Sequence, residues 1–473
     1  PGGTDRGATM TQTLDAVLAR LDTDLDAARK RLFSLLRIPS ISAQPAHAGD
    51  CRAAAEWLRA DFAAMGFEAT AHETEGHPVL VAHHPGPGGG VPHVLFYGHY
   101  DVQPADPLEL WTSAPFEPVL VEGPHGPRIR ARGAVDDKGQ VMMWVEALRA
   151  WHAVAGGPPV AVTVLIEGEE ETGSPSLEAF LAAKRDLLRA DVAVISDTGM
   201  WDIDTPAITT RLRGLVYAQI DVKAAARDLH SGMYGGSALN PINLLTSILG
   251  ALRTHDGRVT MPGFYDGVAE LPAALAEQWQ ALDFGEAEFL AGVGLSVPAG
   301  ESDRGPLERL WARPTCDING IWGGYMGAGS KTVIPSEAHA KLSFRLVPGQ
   351  DPSRIAQLLR DFVAARLPAD AQASVTILGQ APGMAVALDN PAISAATAIL
   401  AEEFGRPTML CGGGGSIPVV ESLRRVLGID SVLMGFGLED DQVHSPDEKF
   451  ELRCFHRGMR SHARLLERLA AGR

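Results

Sequence analysis

Apolar residues recur every three or four positions from Leu14 to Leu36 (Val17, Leu18, Leu21, Leu25, Ala28, Leu32 and Leu35 between them), which predicts one amphipathic helix ending before Ile38-Pro39. A second helical pattern covers residues 51–65. The period then changes. Continuous apolar runs at 79–82, 94–97, 160–166 and 192–195 read as buried strands, with helical stretches at 140–154 and 177–188 between them. Apolar strands alternating with helices predict an α/β sheet covered on both faces, mixed but largely parallel.

The middle of the chain has a different rhythm. Residues 215–223 alternate like a half-buried strand, 241–253 read as a helix, 340–346 as a strand, 352–367 as a helix and 373–378 as a strand. Strands and helices repeated in this way predict a smaller α+β unit of the ferredoxin-like kind. Residues 263–310 carry mixed helical signals. From Pro391 the α/β pattern resumes, with a helix through Phe404 and a strand over 431–435. The predicted architecture is an α/β domain of residues 10–210 and 383–473, interrupted by an inserted α+β domain of residues 211–382.

At 473 residues, each domain can hold its own core. No apolar run approaches the length of a membrane span. The net charge is 41 − 58 = −17, with no basic block, which argues against a nucleic-acid partner and fits a cytoplasmic protein. Cys51, Cys316, Cys411 and Cys454 are scattered, so neither a disulfide framework nor a thiolate zinc site is expected. Residues 1–9 are Gly-rich and are expected to lack order.

Candidate chemistry sits where the strands end. The run Val94-Leu95-Phe96-Tyr97 leads into Gly98-His99-Tyr100-Asp101; Glu169-Glu170-Glu171 follows the strand at 160–166, and Asp197 follows 192–195. Ligands in open α/β sheets bind beyond the carboxyl ends of strands. Asp136-Asp137 and His444 add to the set. Each piece alone has a bland reading: an acidic triplet is usually a solvated helix start, a lone Asp an N-cap, His444-Ser445-Pro446 a turn. Together they are hard to explain that way, because His99, Asp136, Glu170, Glu171 and Asp197 gathered on one rim would repel and take up protons. One or two divalent cations resolve this. Histidine with carboxylate and no cysteine suits zinc, manganese or cobalt. Asp101, two residues after His99, is placed to hold the second imidazole nitrogen.

At this point the chain resembles the di-zinc dipeptidase and aminoacylase family, in particular its carnosinase-like branch of cytosolic non-specific dipeptidases. The matching runs are Phe96-Tyr97-Gly98-His99-Tyr100-Asp101-Val102-Gln103-Pro104, Arg132-Gly133-Ala134-Val135-Asp136-Asp137-Lys138-Gly139 and Glu167-Gly168-Glu169-Glu170-Glu171-Thr172-Gly173-Ser174. Further matches are Ser196-Asp197, Asp228-Leu229-His230-Ser231-Gly232, Lys331-Thr332-Val333-Ile334-Pro335, Phe344-Arg345-Leu346-Val347-Pro348, Gly414-Gly415-Ser416-Ile417-Pro418 and Val443-His444-Ser445. The resemblance runs from Leu32 to the end.

It implies two divalent cations per subunit, zinc first, with Asp136 bridging them. His99 and Asp197 would complete one site, Glu171 and His444 the other. Glu170 would be the general base and Asp101 the orienter of His99. A cis peptide between Asp136 and Asp137 is also implied. The inserted domain would be a lid that forms a homodimer, with His230 reaching the partner's active site. Arg345 and Thr332 would hold the substrate carboxylate, and Ser416 would line the pocket. The implied activity is hydrolysis of dipeptides; an N-acyl amino acid amidohydrolase is the alternative, and a catalytically inactive peptide- or metal-binding dimer the third reading. One departure concerns the pocket: Gly412-Gly413 stands where the branch usually carries Arg-Glu.

Overall fold

The computed structural model describes residues 3–282, 284–415 and 417–472. The chain divides into two compact units, one of Pro1–Thr210, Val386–Leu410 and Pro418–Arg473, the other of Arg211–Ala385 and Cys411–Ile417.

A mixed sheet runs through the first unit in the order Glu68–His72, Val79–His84, Ala161–Glu167, His93–His99, Val192–Ile195, Ser431–Leu433, Ala207–Leu212. The four strands from Ala161–Glu167 to Ser431–Leu433 are parallel to one another, and the outer pairs are antiparallel. The expected largely parallel sheet is therefore parallel only at its centre. Central strands are buried nearly throughout, as continuous apolar runs require, whereas the edge strand Glu68–His72 is partly exposed and polar and carries no apolar run.

The helix Lys138–Ala155 packs on His93–His99 and against Gly3–Thr23 and Leu452–Ala470. It is apolar nearly all round because it is buried nearly all round. Its Trp144 stacks on Phe96 and Phe62, with ring centroids 5.1 and 6.1 Å away.

One N-terminal expectation is corrected. The single helix predicted from Leu14 to Leu36 is two, Gly3–Thr23 and Leu25–Leu36, parted at Asp24, whose carboxylate binds Arg20. Aspartate is among the weaker helix formers in an interior.

A small sheet of Val119–Gly123, Gly126–Arg130 and Lys449–Glu451 lies outside the predicted pattern. It matters for the site, because pairing Lys449 with Arg130 brings Glu448 beside the turn at residues 132–136.

The second unit has a four-stranded antiparallel sheet in the order Thr315–Gly323, Glu337–Leu346, Gly214–Lys223, Gln372–Ala381. Alternate residues Val216, Ala218, Ile220 and Val222 join Ala340, Leu342 and Phe344 in one core, against Leu245 and Leu249 of the helix Pro241–Gly250 and Leu359 and Phe362 of Pro352–Ala364. Both helices start with one device: Asn240 and Asp351 accept from the backbone N–H two residues on, and proline follows at the first helical position. The segment with mixed helical signals forms Ala273–Ala281, Glu286–Ala291 and Pro306–Trp311.

Candidate metal centre

His99 closes its strand directly opposite Glu167 of the parallel neighbour, and the Tyr100 N–H donates to the Glu167 carbonyl at 2.9 Å. Glu170 and Glu171 leave that neighbour in a single 3-10 turn, Glu170–Thr172, and Asp197 leaves Val192–Ile195. Three adjacent strands thus deliver one histidine and three carboxylates to one rim. Gly98 is required there: a Cβ would fall 2.5 Å from Val141 and 2.8 Å from the Asp137 carboxylate, which accepts from the His99 N–H at 3.1 Å.

The two carboxylate oxygens of Asp136 face two different clusters. Its Oδ1 lies 3.3 Å from His99 Nε2, and Asp197 Oδ2 lies 3.9 Å from the same nitrogen. Its Oδ2 lies 2.9 Å from His444 Nε2, which is 3.2 Å from Glu171 Oε2. Each set, His99–Asp136–Asp197 and Asp136–Glu171–His444, brings three ligand atoms within 4.8 Å of one another. His99 Nε2 and Glu171 Oε1 are buried with no hydrogen-bond partner, as atoms reserved for a cation would be. The peptide between Asp136 and Asp137 is cis. His444 sits at φ +61°, a left-handed conformation uncommon outside glycine, which is frequent where a side chain must be aimed.

The electrostatics call for positive charge at this rim. Burial and the neighbouring Asp136 push the Asp197 carboxyl up to about 7, and burial raises Glu170 to about 8. Hydrogen bonds to Asp136 and Glu171 push His444 up to about 10. Burial opposes a charged ring at His99, yet the carboxylates of Asp101 and Asp136 beside it outweigh this and hold its pKa well above the ordinary value. Divalent cations among these groups meet the same demand with both rings neutral and the carboxylates ionised.

Three supports surround the ligand atoms. Asp101 Oδ1 lies 3.3 Å from His99 Nδ1, and its two oxygens accept from the N–H groups of Glu170 and Glu171 at 3.3 and 3.1 Å. One carboxylate therefore ties the imidazole to the acidic turn. The other two supports lie outside the predicted set. Gln103 donates to Glu171 Oε2 at 2.8 Å. Buried Glu448 accepts from the N–H groups of Gly133, Val135 and Asp136 at 2.9, 3.0 and 3.1 Å and pairs with Arg132 at 2.7 Å. Gln103 lies within the matched first motif; Glu448 follows His444 by four residues, and in sequence it reads as one more surface acid.

The remaining predicted residues belong to the second unit. His230 and Thr332 are exposed, and Leu229–His230 pairs with Val333–Ile334. His230 Nδ1 accepts from the Gly232 N–H at 3.0 Å, so its proton sits on Nε2. Arg345 lies on Glu337–Leu346, on the face away from the helices. Ser416 lies outside the described residues. Gly412 is enclosed: a Cβ there would fall 2.4 Å from the Trp311 Cβ.

The two clusters together form a candidate centre for divalent cations. Residues 95–468 match the model of peptidase family M20/M25/M40. The chain is 29% identical to the Cys-Gly metallodipeptidase dug1 of Schizosaccharomyces pombe, over 98% of this chain and 99% of the relative. It is 32% identical to the human Beta-Ala-His dipeptidase, over 75% of this chain and 70% of that one. Among solved structures, an M20 family metallo-carboxypeptidase from Sulfolobus solfataricus superposes with a TM-score of 0.81 at 29% identity, covering 94% of this chain and 99% of that one. The chain belongs to peptidase family M20/M25/M40.

Proposed function

We propose that this metallopeptidase hydrolyses dipeptides at their amide bond, with Glu170 as general base. His99, Asp136 and Asp197 would hold one divalent cation and Asp136, Glu171 and His444 a second, zinc first, with manganese or cobalt as alternatives. The observation that carries this reading is the division of Asp136, one carboxylate oxygen to each cluster. Such cations, when bound, polarise a carbonyl and make a water acidic enough to deprotonate near neutral pH. The residues do the rest. Glu170, buried beside both clusters and belonging to neither, would take the water's proton and return it to the leaving amine. Asp101 fixes the ring of His99 and the backbone of Glu170 and Glu171, so ligands and base hold one geometry.

The second unit is read as an inserted, ferredoxin-like lid that also forms a homodimer. His230, with its proton on Nε2, suits an oxyanion developing on the substrate, acting in the partner's site. Arg345 and Thr332 would take the substrate carboxylate, with Ser416 lining the pocket. The buried thiols of Cys51, Cys316 and Cys454 favour the reducing cytoplasm. Among the described residues no helix is long and apolar enough to cross a membrane.

Parallel assays on dipeptides and their N-acetylated forms test the activity. Turnover of free dipeptides, abolished by a chelator and restored by zinc or manganese, is expected. A preference for the blocked forms would replace this reading with the N-acyl amidohydrolase.

A further inference from the structure

A cavity of about 540 Å³ in the second unit lies over the open face of the four-stranded sheet and is walled by the segment at residues 284–317. Its lining is cationic in a chain of net charge −17. Two of its five arginines are neutralised, Arg309 by Glu286 and Arg313 by Glu301. Arg213, Arg253 and Arg345 are not: among the described residues none has a carboxylate within 4.0 Å, and the one other acid in the lining, Asp317, bonds to Thr315. Arg213 uses its Nε on the Gly414 carbonyl, at 3.3 Å, which leaves its outer nitrogens for a ligand. Burial first, then the nearby Arg345, bring Arg213 down to about 10, against a smaller opposing pull from Asp317. The adjoining run Gly412-Gly413-Gly414-Gly415 supplies no side chain to balance them.

We propose that this cavity binds a dicarboxylate, namely the C-terminal Glu or Asp of a dipeptide substrate, with Arg345 on one carboxylate and Arg213, assisted by Arg253, on the other. Arginine is suited to this, since its planar fork matches a carboxylate with two parallel hydrogen bonds. Identifying the ligand as a substrate rests on the dipeptidase reading above. The anion site rests on the cavity alone.

Two measurements on the intact, metal-loaded protein keep these apart. Calorimetric titration with L-glutamate and L-glutamine should show glutamate binding at least about tenfold tighter, the worth of one charge-assisted contact. Hydrolysis of Ala-Glu should exceed that of the isosteric Ala-Gln in kcat/KM by a similar factor. Arg213→Gln should collapse both ratios toward one, Arg213→Lys should keep part of each, and the exposed Arg253→Gln should reduce them less. Equal binding of glutamate and glutamine, or ratios that ignore Arg213→Gln in a folded variant, overturns the inference. Hydrolysis of both dipeptides without an acidic preference overturns it while leaving the dipeptidase intact. Arg213-dependent glutamate binding without any dipeptide turnover sustains the anion site and sinks the dipeptidase reading instead.

Discussion

The Glu448 carboxylate accepts a hydrogen bond from the backbone N–H of Asp136 at 3.1 Å, so a residue that faces no ligand atom holds the one carboxylate shared by both clusters. It also satisfies two more N–H groups of the same turn and neutralises Arg132, which is 1% exposed. Glu448→Gln should weaken metal binding by roughly 10–100-fold, the usual cost of losing a group that orients a ligand. Glu448→Ala should in addition destabilise the fold by about 3–5 kcal/mol, because it leaves the buried charge of Arg132 without its carboxylate. Metal titration and urea unfolding measure the two effects. Wild-type metal affinity in Glu448→Gln would show that the turn holds its shape unaided.

His462 sets an acid limit on stability. It is fully buried between Phe96 and Phe436, bonded at Nε2 to Ser196, with Nδ1 unpartnered, and burial pushes its pKa down to about 3. From about pH 6.5 down to 3 the unfolded chain takes a proton here that the native state refuses. Stability present above pH 6.5 is therefore lost as pH falls, by up to about 1.4 kcal/mol per unit and about 2 kcal/mol by pH 5. Urea unfolding of the wild type and His462→Gln between pH 7.5 and 5 checks this. The variant should be less acid-sensitive by that margin; parallel curves would mean the native ring protonates freely.

Much of the candidate site could be read from the sequence because its proposed ligands sit at the ends of strands, where a buried apolar run stops and polar residues begin. His99, Glu171 and Asp197 all follow such runs. Asp136 and His444 do not: one lies in a turn and the other in a loop, and only their chemistry beside the rest of the set and the motif match point to them. Glu448 was not legible at all, since its partners are 312–316 residues away and its function is to accept backbone N–H groups, which leave no pattern in side-chain chemistry. The same holds for the fold. Buried central strands and amphipathic helices have a period, whereas Thr315–Gly323, exposed along much of its length at a sheet edge, has none.

The trans role proposed for His230 predicts complementation. His230→Ala removes the imidazole that would serve the partner's site, and Glu170→Gln removes the base from its own. If both act as proposed, each homodimer is nearly inactive. In a mixed dimer, the subunit with an intact Glu170 receives His230 from its partner. Random exchange makes half the dimers mixed, each with one of two sites restored, so about a quarter of wild-type activity should return. Kinetics after verified subunit exchange measure it. No recovery would place His230 in its own subunit's site or outside the reaction.

Glu170 and Glu171 are neighbours with opposite assignments. Glu171 Oε2 lies 3.2 Å from His444 Nε2, is held by Gln103 and belongs to a three-ligand cluster; Glu170 belongs to neither cluster, and burial raises it to about 8. The shared carboxylate of Asp101 fixes both backbone N–H groups, so the two side chains leave one rigid turn in different directions. Glu170→Gln keeps the shape and removes the base. It should retain both metals while kcat falls by roughly 10²–10⁴-fold, the usual contribution of general acid–base catalysis. Glu171→Gln should instead lose metal from the Asp136–His444 side, because a neutral amide is a poor ligand for a divalent cation. Metal analysis on the dialysed variants separates the cases. If Glu170→Gln loses metal while Glu171→Gln keeps two ions per subunit, the roles are reversed, and the base is the residue beside His444.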